Sequence, residues 1–382
     1  MLATIADDFT GAAEIGGLAL RYGLSVEIAT TVPAASSADM LIITTDSRSM
    51  KKEDAVKKTA DVLDQLLAMK PSFIYKKIDS VLRGHVLDEL KIQLEKTDLH
   101  RALIVPANPS LGRTIVDGHY YLNGGLIHKS SFSRDPEFPI ISSLVKMMVK
   151  DEQDEVKVLK PTEPLSLKGF TIGEVSNDDD VKAWALKAGG DILLAGGGDF
   201  FMAMLEAKGY KQAEIHVQRE AALDSPVLLV SGTTFGKSVM AIKAINDAGG
   251  PVFYMPLEPM EDAQFLVYAD AIVGLLLTNQ KTILAFNSTS VINGFISSLR
   301  LRITMAKMVK TVLEKVEVKE LIIEGGSTAA AIIDALQCSH FYPTHELQRG
   351  TIRMLMKGVE NCHITIKPGS YNWPPHIERL YL

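Results

Sequence analysis

The chain is 382 residues long, a length that at roughly 150 residues per domain suits two domains. Its 47% hydrophobic and 23% charged residues are those of an ordinary globular protein, and a net charge of −6 without any dense Lys/Arg run excludes a nucleic-acid partner held by charge. Cys338 and Cys362 have no metal-type spacing, no basic signal-peptide region opens the chain, and the longest apolar stretch, Ala269 to Thr278, is too short for a bilayer; the expectation is a cytoplasmic protein with no membrane partner.

Leu2 to Ala6 is a short apolar run of the kind buried inside a parallel sheet. Asp7 and Asp8 fall where that strand ends, and Asp8 or Thr10 can cap a helix that carries Ile15, Leu18 and Ala19 inward. Strands are predicted at Ser25 to Thr30 and Met40 to Thr44, the latter running into Thr45-Asp46-Ser47-Arg48-Ser49. Glu53 to Met69 reads as a helix with Val56, Ala60, Leu63 and Leu67 on one face. A strand at Phe73 to Lys76 leads into Lys77-Ile78-Asp79-Ser80-Val81-Leu82-Arg83-Gly84, followed by a helix to about Glu95. Ala102 to Val105 is a further strand, with the loop Pro106 to Arg113 behind it. Residues from about Gly118 to Pro161 are less regular and suggest a β-rich or lid-like insertion. Alternation resumes with a strand at Phe170 to Val175, a helix near Asp180 to Ala188, and a strand at Ile192 to Ala195 that ends in Gly196-Gly197-Gly198-Asp199.

The charged stretch Gln218 to Pro226 reads as a linker, dividing a domain of residues 1–220 from one of residues 221–382. Beyond it come a strand at Val227 to Val230, the loop Ser231-Gly232-Thr233, a helix from Ser238, and strands near Val252 and Ile283. A long helix around Ile292 to Lys315, a strand at Leu321 to Ile323, the loop Glu324-Gly325-Gly326-Ser327-Thr328 and a helix of small residues follow. The last predicted strand, Ile364 to Ile366, leads to Lys367-Pro368-Gly369-Ser370-Tyr371. The pattern is α/β: two domains, each with a mainly parallel sheet flanked by helices.

In such sheets ligands bind outside the carboxyl ends of the strands. The first half places Asp7, Asp8, Arg48, Lys77, Asp79, Ser80, Arg83, Asn108 and Arg113 there. Carboxylates suit a polyol, because they accept hydroxyl hydrogen bonds, take up a proton or hold Mg²⁺, and arginines bind a carboxylate in bidentate fashion. The set therefore fits a small sugar acid. Taken alone, Arg48 reads as a surface salt bridge, while Asp79-Ser80-x-x-Arg83-Gly84 between a strand and a helix reads as a site. The three glycine- and hydroxyl-rich loops of the second half fit a phosphate cradle and hence a nucleotide. Gly232 to Ser238 is one residue short of a Walker A loop, and Gly196 to Asp199 lacks the spacing of a dinucleotide fingerprint.

With these residues in place, the chain resembles the four-carbon acid sugar kinase family along essentially its whole length. Ala6-Asp7-Asp8-Phe9-Thr10-Gly11, Asp79 to Gly84, Pro106-Ala107-Asn108-Pro109 through Arg113, Ser231-Gly232-Thr233 and Gly325-Gly326-Ser327-Thr328 carry the likeness. The resemblance implies ATP-dependent phosphorylation of a threonate, erythronate or 3-oxo-tetronate in an interdomain cleft, with Mg²⁺, and it allows a homodimer. It implies that Asp7, Asp8, Arg48, Lys77, Asp79, Ser80, Arg83, Asn108 and Arg113 hold the acid, with Arg83 and Lys77 on its carboxylate and Asp7 or Asp8 orienting the reacting hydroxyl. Ser231, Gly325, Gly326, Ser327, Thr328, Ala329 and Gly369 would lie along the ATP; no metal ligand is assigned. The alternatives are a non-catalytic sugar-acid or nucleotide sensor and an NAD-dependent dehydrogenase using Gly196 to Asp199.

Overall fold

In this computed structural model, residues 1–135, 137–213, 222–256, 261–286, 298–359, 361–369 and 371–381 are described. The chain divides into two units, Met1–Glu214 and Ile215–Leu382. Strands of the first are β1 (Leu2–Ala6), β2 (Val26–Ala29), β3 (Met40–Thr44), β4 (Phe73–Lys77), β5 (Arg101–Val105), β6 (Arg113–Val116), β7 (His119–Leu122), β8 (Gly125–Leu126), β9 (Val156–Leu159), β10 (Gly169–Gly173) and β11 (Leu193–Gly196). Eight of them form a wholly parallel array in the order β2-β3-β1-β4-β11-β5-β10-β9. Parallel strands are covered on both faces, which is why β1, β2 and β3 are buried at every residue and are mainly apolar, with polar residues such as Thr4 and Glu27 buried among them.

The helix Lys52–Ala68 covers one face of this sheet. It buries Ala55, Thr59, Val62, Leu63 and Leu66, one residue out of phase with the predicted row of Val56, Ala60, Leu63 and Leu67. The two rows lie side by side on the helix. Packing of Val62, Leu63 and Leu66 on Ala3, Ile5, Leu41 and Ile43 selects the first, with Leu67 at its margin. The irregular stretch resolves into the antiparallel ribbon β6-β7-β8 and an edge strand, β9, parallel to β10. That strand escapes periodicity because its side chains are only partly covered.

Strands of the second unit are β12 (Val227–Ser231), β13 (Val252–Met255), β14 (Lys281–Phe286), β15 (Glu320–Glu324), β16 (His340–Gln348), β17 (Thr351–Met356) and β18 (His363–Lys367). They lie in the order β13-β14-β12-β15-β18-β17-β16, parallel from β13 to β18 and antiparallel from there on. The hairpin β16-β17 is not predicted from sequence, because Pro343, His345, Glu346 and Arg353 interrupt its apolar pattern. The apolar stretch Ala269 to Thr278 belongs to a helix, Asp262–Asn279, which buries Phe265, Ala269, Ile272 and Leu276 at helical spacing. The long helix is described from Ser298 to Lys315; the predicted turns at residues 292–297 and the linker at residues 218–221 lie outside the described residues. Among the described residues no helix is long and apolar enough to cross a membrane.

Close packing in the first unit rests in part on a missing side chain. A Cβ at Gly173 would stand 2.6 Å from the indole of Trp184. That ring is fully buried, and its Nε1–H donates to the Glu174 carbonyl at 2.8 Å, so it has no room to retreat. Gly173→Ala should therefore destabilise the chain by about 1–3 kcal/mol. Urea denaturation should show a lower midpoint with an unchanged slope.

Candidate functional site

In the first unit the strands around β1 stop at one level. Ala6 lies opposite Thr44 and Lys77, Lys77 opposite Gly196, and Gly196 opposite Val105. The residues that follow form a row of strand-end loops. β1 and β4 are neighbours while β2 and β3 lie to the other side of β1, so the strand order reverses here, the place where open α/β sheets bind ligands.

Asp8 caps the helix Phe9–Leu20 in extended conformation, its Oδ1 accepting from Gly11 N–H at 2.8 Å and its Oδ2 from the Thr10 hydroxyl. A Cβ at Gly11 would stand 2.7 Å from that carboxylate and 3.2 Å from Lys77 Nζ, which fixes glycine at the third position after Asp8. Arg48 donates from Nε and Nη2 to the two oxygens of Asp7, both at 2.9 Å, and from Nη1 to Asp8 Oδ2 at 2.8 Å; Asp79 Oδ1 lies 3.8 Å from Nη1. Its side chain is only 13% exposed, so the surface salt bridge expected of Arg48 alone is instead a buried hub joining the ends of β1, β3 and β4. The sequence hides this because the partners lie 40 and 41 residues away.

Asp79 is gripped from the next turn. It accepts from the backbone N–H of Arg83 at 3.0 Å and from Nε and Nη2 of the same residue at 2.7 and 2.9 Å. Leu82 (φ 63°) and Gly84 (φ 88°) adopt left-handed conformations on either side, which turns Arg83 back onto Asp79. Arg83 Nη1 donates to Asp135 at 2.7 Å, and Lys77 Nζ donates to the Ile78 carbonyl at 3.0 Å and lies 3.4 Å from Glu14. Arg113 donates to the Ser80 hydroxyl, and Asn108 Oδ1 accepts from Asp199 N–H at 2.9 Å. Every acid-binding candidate of the sequence thus falls in one connected row. Two members of it, Phe132 and Asp135, were not foreseen, because the segment that carries them has no regular pattern.

The charges set one another. Burial pushes the Asp7 carboxyl up, against the pull of Arg48 and with the help of Asp8. Burial also works on Asp8, but Arg48 and Lys77 overcome it and bring that carboxyl below its ordinary value. Asp79 is likewise buried, yet Arg83 and Arg48 hold it far below the usual carboxylate range.

The second unit repeats the arrangement with the signs exchanged. Ser231, Glu324 and Lys367 stand in one register row at the carboxyl ends of β12, β15 and β18. The Glu324 carboxylate is 1% exposed and takes hydrogen bonds from the hydroxyls of Ser231 and Ser238 and from the Trp373 indole, with Lys367 Nζ at 2.7 Å. Burial draws the Lys367 ammonium below its ordinary pKa, against Glu324. The Ser231 hydroxyl is therefore spent on Glu324. Ser238, in the would-be Walker position, also faces Glu324, while Lys237 reaches Asn372 on the surface.

The glycines come immediately after this row. A Cβ at Gly232 would stand 1.8 Å from the Thr328 hydroxyl, and one at Gly369 would stand 2.5 Å from that of Thr233. Gly325 has φ 109° and precedes the helix Gly326–Leu336, so Ser327 and Thr328 belong to the first helical turn rather than to the predicted loop. Among the described residues no side chain caps that helix, and its first turn carries no acidic residue, which leaves N–H groups of Gly326, Ser327 and Thr328 for an anion. Ala329 N–H is already bonded to Gly325, and Ser370 lies outside the described residues.

Two other constellations fit their suggested roles poorly. Cβ atoms at Gly196 and Gly197 would meet Val105 O at 2.3 Å and Asn108 Oδ1 at 2.6 Å, so these glycines serve close packing and not a dinucleotide. Asp224, Glu320 and His363 cluster at the opposite end of β15, but Arg353 stands among them, on Glu320 and within 2.9 Å of His363, and takes the place of a metal cation. At the strand-end loops the carboxylates Asp7, Asp8, Asp79 and Glu324 are each paired with a cation, so they form no protein cage for Mg²⁺.

Comparison with known proteins follows the same division. Residues 2–192 match the family described as the sugar-binding N-terminal domain. A D-threonate kinase of Salmonella typhimurium is 33% identical over 148 residues, covering 38% of this chain and 35% of the relative, so the chain aligns with about a third of that protein. A 3-oxo-tetronate kinase of Pseudomonas savastanoi is 22% identical over 97% of this chain and 94% of its own length. A crystal structure of a proposed tRNA synthase of Salmonella typhimurium superposes with a TM-score of 0.79 over 99% of this chain and 98% of that one; at 17% identity the likeness concerns the fold alone.

The Arg48 hub has a pH signature. Asp8 and Asp79 sit below their ordinary value of 3.8, so the stability they contribute is present above that pH and is lost as pH falls through their lower folded values. Arg48→Met strands buried carboxylates and should cost about 3–5 kcal/mol at pH 7.5. Without Arg48, Asp7 is left to burial and to the repulsion of Asp8, which raise it further, while Asp79 keeps Arg83 and Asp8 keeps Lys77; the raised carboxyl takes up a proton as pH falls, so the cost should shrink from pH 7.5 to 5. Urea titrations of both proteins at the two pH values measure the difference.

Proposed function

The chain belongs to the family of four-carbon acid sugar kinases that share the sugar-binding N-terminal domain, and on that premise we propose that it transfers the γ-phosphoryl group of ATP to a four-carbon sugar acid. Threonate, erythronate and 3-oxo-tetronate are the candidate acceptors, with the terminal 4-hydroxyl as the reacting group. The observation that carries this reading is the strand-end row of the first unit, where three carboxylates share one buried guanidinium beside Ser80, Arg83, Asn108 and Arg113. Such a row offers acceptors for several hydroxyls and donors for one carboxylate, which is the chemistry of a small polyhydroxy acid.

The second unit would take the nucleotide, its phosphates on the uncapped turn at Gly326 to Thr328 and against Gly232 and Gly369. Phosphoryl transfer requires positioning and charge neutralisation above all. Mg²⁺, held by phosphate and water oxygens, would supply part of that neutralisation. The acceptor hydroxyl loses its proton to the aspartate pair as its oxygen bonds to phosphorus and the bond to ADP breaks. Asp7, raised by burial, is the better proton acceptor of the two, and Asp8 stays ionised and orients the hydroxyl.

The test is ADP release from ATP and Mg²⁺ against a panel of four-carbon acids, for the wild type and Gly232→Ala. Wild type should turn over with one or two acids. In the variant the methyl group collides with Thr328, so the KM for ATP should rise about tenfold or more, the effect of losing one good hydrogen bond, while the KM for the acid stays near that of wild type. Binding of acid and ATP without turnover would favour a sensor instead.

A further inference from the structure

The two arginines of the acid-binding row spend their donors differently. Arg83 commits all three nitrogens, Nε and Nη2 to Asp79 and Nη1 to Asp135. Arg113 gives Nη1 to Ser80, but its Nε is buried with no partner among the described residues. Asn108 is fully buried and shows a second orphan. Its oxygen is fixed by the Asp199 N–H, so the other end of the amide is the NH₂ group, and that nitrogen has no partner either.

The residues that carry these donors are backbone neighbours. Arg113 and Asn108 pair as antiparallel backbone, with Arg113 N–H donating to the Asn108 carbonyl at 3.0 Å. Residues directly opposite in such a pair project to the same face. A buried N–H left unpaired costs about 1–3 kcal/mol, and proteins seldom retain one unless a ligand or water completes it. Phe132 lies under both guanidinium groups, 5.6 Å from Arg83 and 5.7 Å from Arg113. An aromatic face beneath a guanidinium holds its plane and leaves its edge free for hydrogen bonds.

Resting on the kinase reading above, we propose that Arg113 Nε and Asn108 Nδ2 seat the carboxylate of the four-carbon acid. Arg83 is then a positioning residue: it braces Asp79, and through Phe132 and Asp135 it sets the plane of Arg113. This differs from the clamp of Arg83 and Lys77 implied by the resemblance, because both of those cations already face protein acceptors.

The experiment compares binding of threonate and erythronate with that of the neutral polyols threitol and erythritol, by calorimetry on the full chain. Wild type should prefer its acid about 100-fold over the matching polyol, the scale set by a buried charge-assisted pair. Arg113→Met should abolish the preference and leave the KM for ATP unchanged. Arg113→Lys keeps the charge but loses the Nε–H edge, and should lose about tenfold of the preference. Thermal melts confirm that each variant is folded, and the lysine variant alone decides the matter should Arg113→Met fail to fold. A folded variant that retains the full preference overturns the seat while leaving the kinase reading intact. Wild type that binds none of threonate, erythronate and 3-oxo-tetronate overturns both.

Discussion

A guanidinium with almost no access to water, shared by three aspartates, is the constraint on which the first unit depends. Burying one charge is costly, and a single buried pair often fails to recover the cost. Here Asp7 and Asp8 bond directly to Arg48, and Asp79 lies close by and is shared with Arg83. The partners come from the ends of β1, β3 and β4, so the charges cannot be satisfied unless those loops take one arrangement. The order of the site and the stability of the strand ends are therefore the same fact.

The second unit reaches the same end with one carboxylate. Glu324 gathers Ser231, Ser238, Lys367 and Trp373, which fastens the ends of β12, β15 and β18 to one another. The side chains at the strand ends are consumed in this work. What remains for a ligand is backbone, and the glycines that follow are required by approaches as close as Gly232 to Thr328. A row of side chains in one unit suits an acid rich in hydroxyls, and a row of bare N–H groups in the other suits phosphates.

Much of this was legible in the sequence, for a definite reason. Parallel strands covered on both faces are mainly apolar, so the polar residues just beyond them, Asp7-Asp8, Asp79 and the glycine loops, stand out. Partners distant along the chain leave no such mark. Arg48 reads as a surface arginine because its aspartates are far away in sequence, and Asp135 and Phe132 meet Arg83 from about fifty residues further along the chain, in a segment without a regular pattern. Glu324 is visible as the residue before two glycines, but its role depends on which strands are neighbours. Helix phase fails in the same manner at Lys52–Ala68, where two adjacent rows of apolar residues compete and only the sheet beneath decides.

Phosphoryl transfer to a four-carbon acid, the activity proposed for this chain, is tested most directly by its product. Phosphorus NMR of the full chain with ATP, Mg²⁺ and each acid of the panel should show ADP together with a new phosphomonoester coupled to the protons of the terminal carbon. Signals of ATP that persist with every acid, on protein shown to bind both ligands, would contradict the account.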